Sequence, residues 1–276
     1  YRAQVAASSI KPAAQKDVTA AGFLNDATGF RAILNSKGLF AYNMFTNVDF
    51  TVTMRTNDGT GSGWVTRDYN DIRKFNADEA SKIAIDKAVM SREAKAIEPG
   101  KYTVILEPAA AADLIGNMRG ALNARTADEG RSFMSREGGT KLGQKIVDER
   151  VTIYSDPLHS EVPTATWNGE GMPLKKKVWI ENGVVKNLAY DRYWAQRQGV
   201  EPTPFPPNFI MEGGDATLDD LIKGTKRGIL VTRLWYIRSV DPQTLLYTGL
   251  TRDGTFYIEN GQIRYPVKNF RFNESP

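Results

Sequence analysis

The tetrapeptide Ile-Glu-Asn-Gly occurs twice in this chain, in VWIENGVV (178–185) and in FYIENGQIRYPV (256–267), flanked each time by β-branched and aromatic residues. Asn-Gly accepts the two successive positive φ angles of a type I′ turn, whose twist matches that of paired strands. Each copy therefore specifies a two-residue β-hairpin. A chain with two such hairpins in its second half must build antiparallel sheet there. The repetition hints at an internal duplication, but six matching residues do not establish one.

Other segments follow the same logic. FRAILNSKGLFAYNMF places a turn at Asn35-Ser36-Lys37-Gly38 between two apolar runs, and DFTVTMRTNDGTGSGW alternates up to a glycine loop at 58–63. Asn76 offers a helix N-cap with Glu79 as its capping-box partner, and Ala80, Ile83, Ala84 and Ala88 share one face of that helix. A strand at Tyr102–Leu106 feeds a second helix opened by Pro108. A third is expected from Thr217 to Arg227, capped by Thr217 with Asp220 and closed by Lys226, Arg227 and Gly228. Residues 1–21 read as a helix or linker. The expected class is α+β: strand-rich, with mostly antiparallel sheets, hairpins, and two or three helices. Glu98-Pro99-Gly100 marks the expected division into residues 1–98 and 99–276.

Charge and composition narrow the function. Lys+Arg 36 against Asp+Glu 32 leaves +4, spread along 276 residues, which demands neither nucleic acid nor a membrane surface. Lys175-Lys176-Lys177 reads as the solvated end of a strand. No apolar run reaches the roughly 20 residues of a membrane helix. The chain begins at Tyr1 without a targeting pattern and reads as a processed or truncated cytoplasmic product.

Chemistry is scarce. There is no cysteine, which removes disulfides, thiolate zinc sites and cysteine nucleophiles. His159, in SDPLHSE, is the sole histidine. Asp156 and Ser160 stand beside it, but triad members meet through a fold and not along one loop, so a surface histidine is expected. One imidazole without a thiol leaves zinc short of its usual ligands. Asp219-Asp220 sit where they serve a helix dipole. Neither a P-loop nor a G-x-S-x-G elbow is present. In RLWYIR (233–238), strand alternation would put Arg233, Trp235 and Ile237 on one face and Leu234, Tyr236 and Arg238 on the other. Such a surface could hold a peptide or a nucleic-acid base. It could equally be a half-buried strand whose arginines pair with Asp241 or Asp253.

Three longer segments carry a more specific likeness: KYTVILEPAAAADLI, GRSFMSREGGTKLGQKIVDERVTIYSDP, and the run GILVTRLWYIRSVDPQTLLYTGLTRDGTFYIENGQIRYPVKNFRFNES. With WNGEGMPLKKKVWIENGVVKNLAYDRYWA, they resemble the TldD/PmbA family, once called modulators of DNA gyrase and now regarded as peptidases. The likeness runs from about Gly22 to the end. The family's N-terminal domain is absent from it, and members usually continue past NFRFNESP.

In the TldD-type branch the helix after this strand carries H-E-x-x-x-H, two histidines for zinc and a glutamate as general base. The matching positions here are Gly116, Asn117 and Ala121. The resemblance therefore implies a PmbA (TldE)-type chain with no cofactor of its own, paired with a zinc-bearing TldD-type subunit to act on unfolded peptides. Arg233, Trp235, Tyr236, Arg238 and Arg252 are the candidate substrate contacts. The rival readings are a homodimeric peptide-binding protein of the same fold, and an unrelated enzyme using Arg233, Arg238, Arg252 and Asp253. For that last set a structural ion-pair network is the simpler expectation.

Overall fold

The computed structural model describes residues 1–276. Helix α1 (Arg2–Gln15) leads into β1 (Val18–Leu34) and β2 (Phe40–Thr56), a continuous antiparallel ladder from Val18↔Thr56 to Leu34↔Phe40. Asn35 closes the reversal by accepting the Lys37 and Leu39 backbone N–H groups. Strand β3 (Ser62–Tyr69) pairs with β2 only between Val48 and Arg55, so the outer part of the hairpin runs on beyond its third strand.

Helix α2 (Ala77–Met90) is capped by Asn76, which accepts the Glu79 N–H. Its face of Ala80, Ala84, Ile85 and Ala88 meets Phe50, Val52 and Met54 of β2, with Val65 of β3 and Val5 and Ala13 of α1 joining the core. Small residues permit this approach: a Cβ on Gly63 would lie 2.2 Å from the Ala84 carbonyl oxygen.

The rest of the chain begins with β4 (Thr103–Leu106) and α3 (Pro108–Met118), which tightens into a 3₁₀ turn at Arg119–Leu122. There follow α4 (Ala124–Asp128), β5 (Ser135–Arg136), β6 (Gly139–Thr140), β7 (Ile153–Ser155), β8 (Lys177–Glu181), β9 (Val184–Val185) and α5 (Arg192–Gln198). Then come β10 (Ile210–Met211), α6 (Leu218–Lys223), β11 (Arg227–Val231), β12 (Leu234–Asp241), β13 (Leu246–Thr251), β14 (Thr255–Glu259), β15 (Gln262–Pro266) and β16 (Arg271–Glu274). The sheets are ordered β10-β7-β8-β9, β15-β14-β11-β4 and β12-β13-β16, beside a small β5-β6 ribbon. All pairings are antiparallel except β4 with β11. The largest core gathers Trp179, Ile180, Val185, Leu188, Leu122 and Met134, with the Trp179 indole N–H donating to Ser155 Oγ at 2.9 Å.

The class is α+β with mostly antiparallel strands, and both Asn-Gly pairs sit with positive φ throughout: 48° and 77° at Asn182-Gly183, 50° and 75° at Asn260-Gly261. Three details differ from the sequence reading. Six α-helices form, because α4 and α5, of five and seven residues, are too short to show a periodicity. The helix expected to reach Arg227 ends at Lys223 with Gly224 at its C-cap. Arg227 and Gly228 instead open β11, where pairing on both sides outweighs the local stop signal. The strand along RLWYIR is also interrupted, since Tyr236 takes φ 55° and the ladder slips between Trp235 and Arg238.

Gly38 and Gly183 separate two costs of alanine. Both have positive φ, but a Cβ at Gly38 meets nothing, whereas at Gly183 it would lie 2.3 Å from the Val147 carbonyl oxygen. Urea unfolding should show Gly38→Ala losing about 1–2 kcal/mol from the left-handed backbone alone, with Gly183→Ala losing clearly more.

Candidate active site

Helix α3 is well framed. Pro108 occupies its first turn, and Glu107 before it lies extended. The Glu107 carboxylate forms a 2.6 Å ion pair with Lys87 of α2, both side chains largely buried. Farther along, the positions matching the metal motif face different surroundings. Gly116 is exposed, with no atom within 4 Å of where a Cβ would stand. Asn117 turns its amide back to donate to the Asp113 carbonyl oxygen at 2.7 Å, while its own carbonyl accepts the Tyr247 hydroxyl. Ala121 lies in the 3₁₀ turn and is buried in the largest core.

These positions do not fit zinc. Glycine and alanine present no donor atom at the two histidine positions, and the Asn117 carboxamide, at the glutamate position, is too weakly basic to act as the general base. No three His, Asp or Glu side chains come together elsewhere in a metal-holding group. His159 accepts the Glu161 backbone N–H on Nδ1, and Asp156 accepts from Leu158 N–H, so both are engaged with nearby backbone and not with the Ser160 hydroxyl.

The arginine-aromatic residues divide into two sets. Arg233, Trp235 and Arg252 converge. The Arg233 guanidinium is 2.5 Å from Asp253 Oδ2 and lies over the rings of Trp64, at 4.1 Å, and Trp235, at 4.8 Å. Arg252 lies 4.7 Å from the Trp235 ring and 3.7 Å from Asp253. The Ser62 hydroxyl, from β3, donates to the other Asp253 oxygen. Asp253 itself is 3% exposed and sits at φ 52° in the turn between β13 and β14. Asp113 of α3 lies close enough to feel Arg233: burial pushes its carboxyl above the ordinary range, and the guanidinium pulls it back.

Tyr236 and Arg238 stand apart. They pair with each other in solvent, 4.2 Å from guanidinium to ring, and the hydrogen bond from Arg238 lowers the Tyr236 phenol. Asp241 takes no arginine; it accepts from Gln243 N–H and the Thr244 hydroxyl. Sequence reasoning missed Ser62, Trp64, Lys87 and Glu107. Ser62 and Asp253 are 191 positions apart, and no local pattern links them.

Beside this cluster lies a cleft of about 800 Å³ between the β15-β14-β11-β4 and β12-β13-β16 sheets. Tyr102, Val104, Leu106, Leu234, Phe270 and Phe272 give it an apolar lining. Strands β4 and β16, each the outermost of its sheet, flank it, so the cleft is bordered by two open strand edges. Such edges carry unpaired backbone donors and acceptors, which an extended peptide can satisfy.

Fold and site together describe a strand-rich α+β chain with no imidazole or carboxylate at Gly116, Asn117 and Ala121. The central-domain model of the PmbA/TldA metallopeptidases matches residues 3–92, and their C-terminal-domain model matches residues 99–276. The chain belongs to the PmbA/TldD metallopeptidase family. A Methanocaldococcus jannaschii protein of uncharacterized function is 29% identical over 269 residues, 92% of this chain and 61% of that protein. A metalloprotease of Methanothermobacter thermautotrophicus is 26% identical over 268 residues, 88% of this chain and 57% of its own length. The chain thus spans about three fifths of the length of these two relatives. The fold also matches a proposed DNA gyrase modulator from Thermotoga maritima, with TM-score 0.89 and 22% identity over 99% of this chain and 65% of that one. TldE from Thermococcus kodakarensis gives TM-score 0.83 and 23% identity, with the same coverage.

Replacing Asp253 with alanine would strand the largely buried Arg233 charge. Chemical denaturation should show a loss of about 3–5 kcal/mol, against about 1–2 kcal/mol for Ser62→Ala, which removes one hydrogen bond.

Proposed function

We propose that this chain is a non-catalytic, PmbA-like subunit of a PmbA/TldD metallopeptidase, paired with a TldD-type subunit that carries the zinc. The observation that carries this reading is the residue set at the motif positions, Gly116, Asn117 and Ala121, which supplies neither an imidazole nor a carboxylate. Zinc in the partner would supply an activated water for peptide hydrolysis. This chain's own contribution is geometric. The apolar cleft between the β4 and β16 edges suits an extended, unfolded segment, gripped through its backbone with little regard to sequence. A folded protein has no free strand to offer there, so the same edges select unfolded substrates. The name metalloprotease belongs to several relatives, and the cleavage it denotes is assigned here to the partner.

Co-expression tests this. The chain purified alone should cleave no unstructured peptide, and activity should appear when an H-E-x-x-x-H family member is co-expressed with it. Full peptidase activity of that member without this chain would overturn the subunit role.

A further inference from the structure

The cluster around Asp253 holds more positive charge than it neutralises. Two guanidinium groups, Arg233 and Arg252, meet a single carboxylate. Both oxygens of that carboxylate are already taken, Oδ2 by Arg233 and Oδ1 by the Ser62 hydroxyl. Arg252 stays 3.7 Å from Oδ2, too long for a hydrogen bond. Its backbone N–H bonds the Arg233 carbonyl, but its guanidinium donates to no protein acceptor. Asp113, the other acid that Arg233 feels, forms no ion pair with it. One positive charge is left over, and it belongs to Arg252.

Arg252 is nevertheless held in place. Its guanidinium lies 4.7 Å from the Trp235 ring centroid, and contact with an aromatic ring consumes no hydrogen-bond donor. The Arg252 side chain is 34% exposed against 14% for Arg233, so it is the arginine of the cluster that a ligand can reach. Such a positioned, unspent fork of N–H groups matches the two oxygens of a carboxylate in parallel hydrogen bonds. The single surplus charge suits a monoanion, because the nearby Asp253 and Asp113 repel a phosphate dianion more strongly. In a metallopeptidase family the carboxylates on offer are those of peptides.

We propose that Arg252, backed by Trp235, binds the carboxylate of a peptide, at its C-terminus or on an acidic side chain. The site lies on the face of the β12–β13 ladder opposite Leu234 and Thr251, which line the apolar cleft. It rests neither on strand addition in that cleft nor on a metal in a partner, so each reading can fail alone.

Tryptophan emission of the purified chain reports the site through Trp235. The probe is a short N-acetylated glycine-serine peptide in three forms: free C-terminal acid, C-terminal amide, and the amide with one internal glutamate. Each is titrated to about 10 mM, a range that covers a millimolar Kd. The free acid, the glutamate form or both should bind about tenfold more tightly than the uncharged amide, and which of them does so names the source of the carboxylate. Arg252→Gln should abolish the difference at an unchanged melting temperature, because Arg233 and Ser62 still satisfy Asp253. Arg252→Lys keeps the charge without the fork and should retain only part of it. Arg238→Gln, outside the cluster, should leave it intact. Equal binding of all three forms, binding of none, or a difference that survives Arg252→Gln would overturn the proposal.

Discussion

The buried carboxylate of Asp253 holds the molecule together where its two halves meet. It takes Arg233 from the β11–β12 connection, Arg252 beside it in the β13–β14 turn, and the Ser62 hydroxyl from β3, while Trp64 of β3 covers Arg233. A carboxylate 3% exposed is costly to bury, and the charges and hydrogen bond around it offset that cost. Arg233 is the arginine a sequence reader would offer to a substrate, yet its guanidinium is engaged by an acid and two indole rings. The Lys87–Glu107 pair repeats the arrangement one element away, fixing the start of α3 to α2. The same helix buries Ala110 against Ile229, Val231 and Leu234.

With the scaffold fixed, the chemistry of α3 limits what the chain does. A hydrolytic zinc needs imidazole, carboxylate or thiolate donors aimed at one point. The helix supplies a bare glycine, an amide turned to its own backbone, and an alanine in the core. What the fold does supply is surface for extended chain: two open strand edges with an apolar cleft between them. The proposed division, with the metal in a partner and the walls here, gives these edges a use.

Much of this was legible in the sequence where the signal is local. The Asn-Gly pairs specify their own turns, Asn76 and Thr217 cap the helices they precede, and Pro108 opens α3. Signals that compete with tertiary pairing misled. Lys226-Arg227-Gly228 looks like a helix end, but Arg227 and Gly228 pair with β14, and Gly228 also with β4. Tyr236 pairs with Arg238, on the face where alternation puts both, but its positive φ at the slip in the β12–β13 ladder has no local signal. At the site, the missing donors at 116, 117 and 121 were readable from residue types alone. The partners of Arg233 were divided between Asp241 and Asp253 until the turn between β13 and β14 placed Asp253 against it. Ser62 and Trp64 had no signal at all, because their roles depend on contacts across most of the chain.

The central claim concerns donors, so the most direct measurement is zinc stoichiometry. The purified chain, equilibrated with zinc at neutral pH, dialysed and analysed by inductively coupled plasma mass spectrometry, should retain far less than one ion per chain. One tightly held zinc per chain, lost on substitution of Asn117, would contradict the account.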